Sequence, residues 1–208
     1  MTRTIRSTSD LEEGADHLMR VCPVWARTLP TLGPLPLRRW EEGFVSIRDA
    51  IVSQQISTQA ANAILDRMIR AGLADEDGIA GAEDDVLRAA GLSRPKIRYL
   101  RGIAAARLDW PGLRDLPDED AIAALTALPG IGRWTAEIYL KFALGRADVF
   151  AAGDLALAEA ARLLYDLPER PGPAALTALA EPWRPWRAVA ARALWAYYRV
   201  AKEREGIR

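Results

Sequence analysis

The sequence predicts an all-α protein, and two observations carry that reading. Alanine, leucine, arginine and glutamate dominate its 208 residues, whereas valine and isoleucine are scattered rather than grouped into alternating strands. Glycine and proline recur at intervals that suit helix ends and short connectors.

Taken in order, the first helix is expected over Asp10 to Cys22, capped by Ser9 or Asp10, with Pro23 marking a turn. A Pro/Gly-rich connector runs from Leu29 to Pro36. Phe44 to Ala71 reads as one or two helices: Phe44, Ile47, Ile51 and Val52 form one stripe, Ile64, Leu65 and Met68 another, and Gly72 is the stop. Acidic residues crowd Asp75 to Asp85, and a short helix covers Ala82 to Ala90, ending at Gly91. Ser93 to Arg107 holds Arg94, Lys96, Arg98, Arg101 and Arg107 without an acid among them. That run is either a solvated helix face or a salt-dependent contact for a polyanion. Asp118 can cap a helix from Glu119 to Ala127, Leu128 to Gly132 forms a tight hairpin, and Arg133 to Leu144 is the next helix, stopped by Gly145. Asp154 opens an apolar helix to Tyr165, and Trp186 to Lys202 makes the last.

Composition removes several chemistries. Net charge is zero, so no global field collects nucleic acid and a polyanion must meet a local patch. The single cysteine, Cys22, provides neither a disulfide nor the ligands of an iron–sulfur cluster. The single histidine, His17, removes Ser-His-Asp triads and paired-His sites; it is expected on the surface of the first helix. Met1 to Asp10 lacks the apolar stretch of a signal peptide, and no apolar run has the length of a membrane span, so a cytoplasmic protein is expected.

The string Leu128-Pro-Gly-Ile-Gly-Arg-Trp-Thr-Ala136 is the most informative. Two glycines around one apolar residue allow a turn that side chains would obstruct, with Ile131 pinning it between the helices. The glycine amides then open the second helix, unpaired, with the positive end of its dipole behind them. Such a terminus binds phosphate without lysine; a bare Gly-X-Gly is also common in hairpins that only pack closely.

This string resembles the helix-hairpin-helix of the base-excision DNA glycosylases, in which a Gly/Pro-rich loop and an aspartate follow the hairpin, here Asp148 to Asp154. The hairpin Trp resembles one branch, the bacterial 3-methyladenine DNA glycosylase II group. Ile51 to Ser57, Gly91 to Lys96 and Glu181 to Arg187 agree with it. The resemblance implies two helical lobes with a cleft between them: residues 43–146 as the hairpin lobe, and 1–42 with 147–208 as the other. The chain is expected to depart from better-known members in lacking their extra N-terminal sheet domain.

By that resemblance Asp154 is the catalytic carboxylate, although alone it reads as a plain N-cap. Asp148, the rival carboxylate, is expected to serve the loop. Trp134 stands where glycosylases that also cut the backbone carry a nucleophilic lysine, which implies water as nucleophile and no lyase step; by itself it also reads as a core aromatic. Trp134 and Trp195 would hold a cationic alkylated base by cation–π stacking, with Ile138 and Tyr139 beside them, where some members have an aromatic at the position of Ile138. Trp183 and Trp186 are expected to pack the last helix. Gln55 would fill the gap left by a flipped base; without the resemblance Gln54 and Gln55 read equally as a solvated helix end. Gly130, Gly132, Arg133 and Thr135 would hold the DNA backbone, and the carbonyls of Thr126, Leu128 and Ile131 a monovalent cation. The expected protein is a monomer that binds double-stranded DNA, needs no cofactor and excises alkylated bases. The alternatives are a non-catalytic hairpin module and a glycosylase for oxidised or mispaired bases.

Overall fold

The computed structural model describes residues 3–204, and the regular structure among them is helical; no strand forms among the described residues beyond an isolated Thr4–Arg146 bridge. The chain divides into two compact units, one made of residues 1–39 with 145–208 and the other of 40–144.

The first unit contains α1 (Thr8–Val21) and α2 (Pro23–Thr28) from the start of the chain. Ser7, not Ser9 or Asp10, caps α1. Its side chain accepts the Asp10 amide while Asp10 Oδ2 accepts the Ser7 amide at 2.8 Å, a capping box that starts the helix earlier than expected. Asp10 accepts the Arg6 amide as well, and that bond is the main force holding its carboxyl below the usual range. Pro23 is not a turn residue but the first residue of α2, where its missing N–H costs nothing. His17 sits half-buried on α1 rather than at the surface.

The second unit follows with α3 (Phe44–Ser53), α4 (Thr58–Arg70), α5 (Glu76–Gly81), α6 (Asp84–Ala89), α7 (Arg94–Ala106), α8 (Asp118–Thr126) and α9 (Arg133–Phe142). Its core is Ile47, Ile51, Met68, Leu73, Ile79, Leu87, Leu100, Ile103, Leu125, Tyr139 and Leu140. The two-stripe pattern of 44–71 resolves into α3 and α4, separated by the loop Gln54–Ser57. The acidic stretch hides α5, which the sequence did not reveal: Asp75 caps it by accepting the Gly78 amide, and Ile79 is its buried residue. Asp118 is the first residue of α8 rather than its cap; Pro117 takes that place. α9 stops at Phe142, short of Leu144, because the Leu144 amide closes a wider turn on the Tyr139 carbonyl ahead of left-handed Gly145.

The acidic and basic stretches answer each other. Arg101 pairs with Asp84 at 2.7 Å, Arg107 with Asp77 at 2.6 Å, and Lys96 Nζ donates to the Val52 carbonyl at 2.7 Å, ending α3.

The first unit resumes with α10 (Leu155–Leu164), α11 (Pro173–Ala180) and α12 (Arg187–Arg204). α11 was also missed, because its run of alanine and leucine has no polar face to set a period. Buried Ala188, Ala190, Ala191 and Ala193 on α12, with Ala158, Ala160 and Ala161 on α10, let helices pack at short range. α1 meets α12 at Gly14, where a Cβ would lie 2.6 Å from Val189. Trp183 is enclosed edge-on by Trp25 at 5.5 Å and Phe150 at 5.8 Å. Trp186 lies against the same core, at the start of α12.

Candidate nucleic-acid interface and base pocket

The hairpin joins α8 to α9 in the 40–144 unit. Ile131 is buried, its amide 3.3 Å from the Leu128 carbonyl. The two glycines have different reasons to be there. Gly130 has φ +80°, and a Cβ would lie 2.5 Å from the Tyr99 ring, so the fold requires glycine. Gly132, the N-cap of α9, has φ −91°, and a Cβ would meet nothing within 4 Å. Nothing inside the chain therefore requires glycine at 132, contrary to the expectation that a side chain would obstruct the turn. A bare backbone there leaves the first amides of α9 open to an approaching anion.

The loop after α3 reaches the hairpin: Gln54 Nε2 donates to the Gly130 carbonyl at 3.1 Å. Its neighbour Gln55 adopts φ +60° with an exposed side chain, a conformation that costs energy in a residue other than glycine. Arg133 is held by both oxygens of Glu119, at 2.9 and 2.7 Å, and by Glu137 at 3.0 Å. The Glu119 bonds raise the guanidinium pKa and lower that of Glu119, whereas burial raises that of Glu137.

Beside the hairpin lies a cavity of about 700 Å³, contained within the same unit. Trp134, Thr135, Ile138 and Tyr139 line it from α9, and Gln54 and Gln55 from the loop. Trp134 is 48% exposed, so it is not a core aromatic. Tyr139 is wholly buried: its hydroxyl accepts the Gly43 amide at 2.8 Å, and desolvation pushes its pKa up to about 12. It is a fixed, neutral wall. Sequence reasoning missed Trp40, Glu41, Val45 and Asp49 on the opposite side. Trp40 packs against Phe142 with ring centroids 5.3 Å apart and planes tilted by 35°, and no spacing rule links it to α9.

Asp154 and Trp195 belong to the other unit. Asp154 is 9% exposed and caps α10, with Oδ1 accepting the amides of Ala156 at 2.8 Å and Leu157 at 3.0 Å. Those bonds fix the carboxylate's orientation. Asp148, by contrast, is consumed by structure: Arg187 binds both its oxygens at 2.9 Å, and Arg184 binds Oδ2 at 2.7 Å. Trp195 is half-buried on α12, packed against that unit's core. No cluster of His, Cys, Asp and Glu suited to a metal occurs among the described residues.

An all-helical fold carrying this hairpin, with a capping aspartate downstream, defines a class, and comparison with known proteins agrees. Residues 49–185 match the HhH-GPD superfamily of base excision DNA repair proteins. The chain belongs to that superfamily. It is 32% identical to DNA-3-methyladenine glycosylase 1 of Schizosaccharomyces pombe over 96% of this chain and 93% of that protein. A crystal structure of a DNA-3-methyladenine glycosidase from Bacillus halodurans superposes with a TM-score of 0.85 at 30% identity, covering 98% of this chain and 94% of that one. The S. pombe 3-methyladenine DNA glycosylase in complex with abasic DNA gives 0.73 at 32% identity, covering 88% and 95%.

Proposed function

We propose that this chain is a monofunctional DNA glycosylase that releases alkylated bases such as 3-methyladenine and 7-methylguanine from double-stranded DNA. The observation that carries the reading is the aromatic-lined cavity beside the hairpin, in a chain whose relatives are named for 3-methyladenine release. A cavity of about 700 Å³ is ample for one flipped purine.

The chemistry follows from the leaving group. Alkylation gives the purine a positive charge, so when the C1′–N bond breaks its electron pair neutralises the base and no acid is needed. Positive charge develops on the sugar, and the Asp154 carboxylate stabilises it. Water adds to C1′ and gives up its proton, leaving an intact abasic site. Trp134, at the hairpin position where a lysine would form a Schiff base, has no nucleophile and serves instead as a face for the cationic ring. Trp195 is the second indole of that role. Ile138 and Tyr139 shape the pocket floor.

Gln55, already in its unusual backbone conformation, fills the vacated stack and hydrogen-bonds the orphaned partner base. The amides of Gly130 and Gly132 and the Thr135 hydroxyl grip one phosphate, with Arg133 alongside. The carbonyls of Thr126, Leu128 and Ile131 form a set of neutral oxygens suited to a monovalent cation, which would hold the hairpin's shape without entering the reaction. The protein works as a monomer, needs no cofactor for the chemistry, and acts in the cytoplasm. Incubating it with methylated duplex DNA and analysing the free bases tests the assignment; release of 3-methyladenine and 7-methylguanine is expected.

A further inference from the structure

Three carboxylates lie on the segment facing α9: Glu41, Glu42 and Asp49. Two of them have cationic partners. Glu42 pairs with Arg114, and Asp49 Oδ1 takes Nε and Nη2 of Arg48 at 2.8 and 2.7 Å. Glu41 has no partner for its carboxylate among the described residues, yet it lines the cavity together with Trp40 and Trp134.

Its placement is not left to a loose loop. The Trp40 amide donates to the Phe142 carbonyl at 3.0 Å, the Gly43 amide to Tyr139 Oη at 2.8 Å, and the Ser46 hydroxyl to the carbonyl of Glu41 itself. Three anchors on the seven residues from Trp40 to Ser46 fix the backbone that carries the charge. A glutamate pinned on a cavity wall and left unpaired exerts a net field there, whereas a carboxylate bound to a guanidinium is largely cancelled.

We infer that Glu41 is a specificity-determining residue of the pocket, favouring a base with a fixed positive charge over a neutral one. The inference rests on the cavity being the base pocket. Exposed indoles give the cation a polarisable face, and Glu41 supplies the full charge that the indoles lack. Solvent reaches Glu41, so the expected contribution is that of one exposed ion pair, about three- to fivefold.

The test compares N7-methylguanosine, a fixed cation, with guanosine by quenching of tryptophan fluorescence. The unaltered protein is expected to bind the methylated nucleoside more tightly. Glu41→Gln should lower that preference about three- to fivefold, and Glu41→Lys should lower it further. Glu42→Gln, which removes a charge already paired with Arg114 and outside the cavity lining, should keep it. Identical curves for the two nucleosides, no saturable quenching by either, an unchanged preference in Glu41→Gln, or an equal loss in Glu42→Gln would each overturn the inference. On DNA the ratio of 7-methylguanine to hypoxanthine release should fall in Glu41→Gln. If the unaltered protein releases no alkylated base, the proposed function fails, while the nucleoside preference still judges Glu41.

Discussion

At the residue scale the hairpin glycines divide fold from function. Gly130→Val should destabilise the protein by several kcal/mol, because a positive φ and the Tyr99 ring both exclude a side chain; thermal melting checks this. Gly132→Val should melt close to the unaltered protein, since its Cβ enters open space, yet weaken binding to damaged and undamaged duplexes by similar factors. Full binding by a folded Gly132→Val protein would make the hairpin purely structural. Trp134→Ala should act differently, reducing excision far more than plain duplex binding. Borohydride should trap no covalent complex on damaged DNA, since residue 134 offers no amine; a borohydride-dependent adduct would show a Schiff base and end the monofunctional reading. The sequence marked Asp154 and Trp134 because a local string carries them. It could not mark Glu41 or Trp40, whose place on the cavity depends on Trp40 packing against Phe142 and on Tyr139 reaching back to Gly43.

At the scale of elements, most helices were legible because their ends are chemical: Gly72, Gly91 and Gly145 turn left-handed, and Asp154 caps α10. The misreadings have equally local causes. Ser9 and Asp10 are the caps expected from sequence, and it is the reciprocal Ser7–Asp10 bonding, visible only in three dimensions, that moves the cap back to Ser7. Ser7→Ala should cost about 1 kcal/mol by losing that cap, as urea denaturation will report. α5 and α11 lack a readable period, one from its two glycines and the other from its uniform apolarity. The loop ahead of α10 is held by Asp148 on Arg184 and Arg187. Asp148→Asn should therefore cost about 1–3 kcal/mol, as expected for a partly buried, bidentate pair. It should also slow base release by loosening the loop that ends in Asp154. Normal stability together with normal activity would remove that structural role.

For the whole molecule, charge is the governing quantity. Net charge is zero, and three of the five basic residues of the run, Arg101, Arg107 and Lys96, are committed to Asp84, Asp77 and the Val52 carbonyl, which leaves exposed Arg94 and Arg98 as its remaining cations. Duplex affinity should depend on salt with a log–log slope of only about −1 to −3, the signature of few phosphate contacts. Arg101→Ala should lower the melting temperature more than it changes that slope. A steep slope that Arg101→Ala flattens would instead put the run on DNA. The central claim, an alkyl-base glycosylase driven by Asp154, is tested most directly by one measurement: free bases released from methylated duplex DNA by the unaltered protein and by Asp154→Asn. The account predicts 3-methyladenine and 7-methylguanine from the first and almost none from the second, with duplex binding retained by both. Equal release by the two proteins would contradict it.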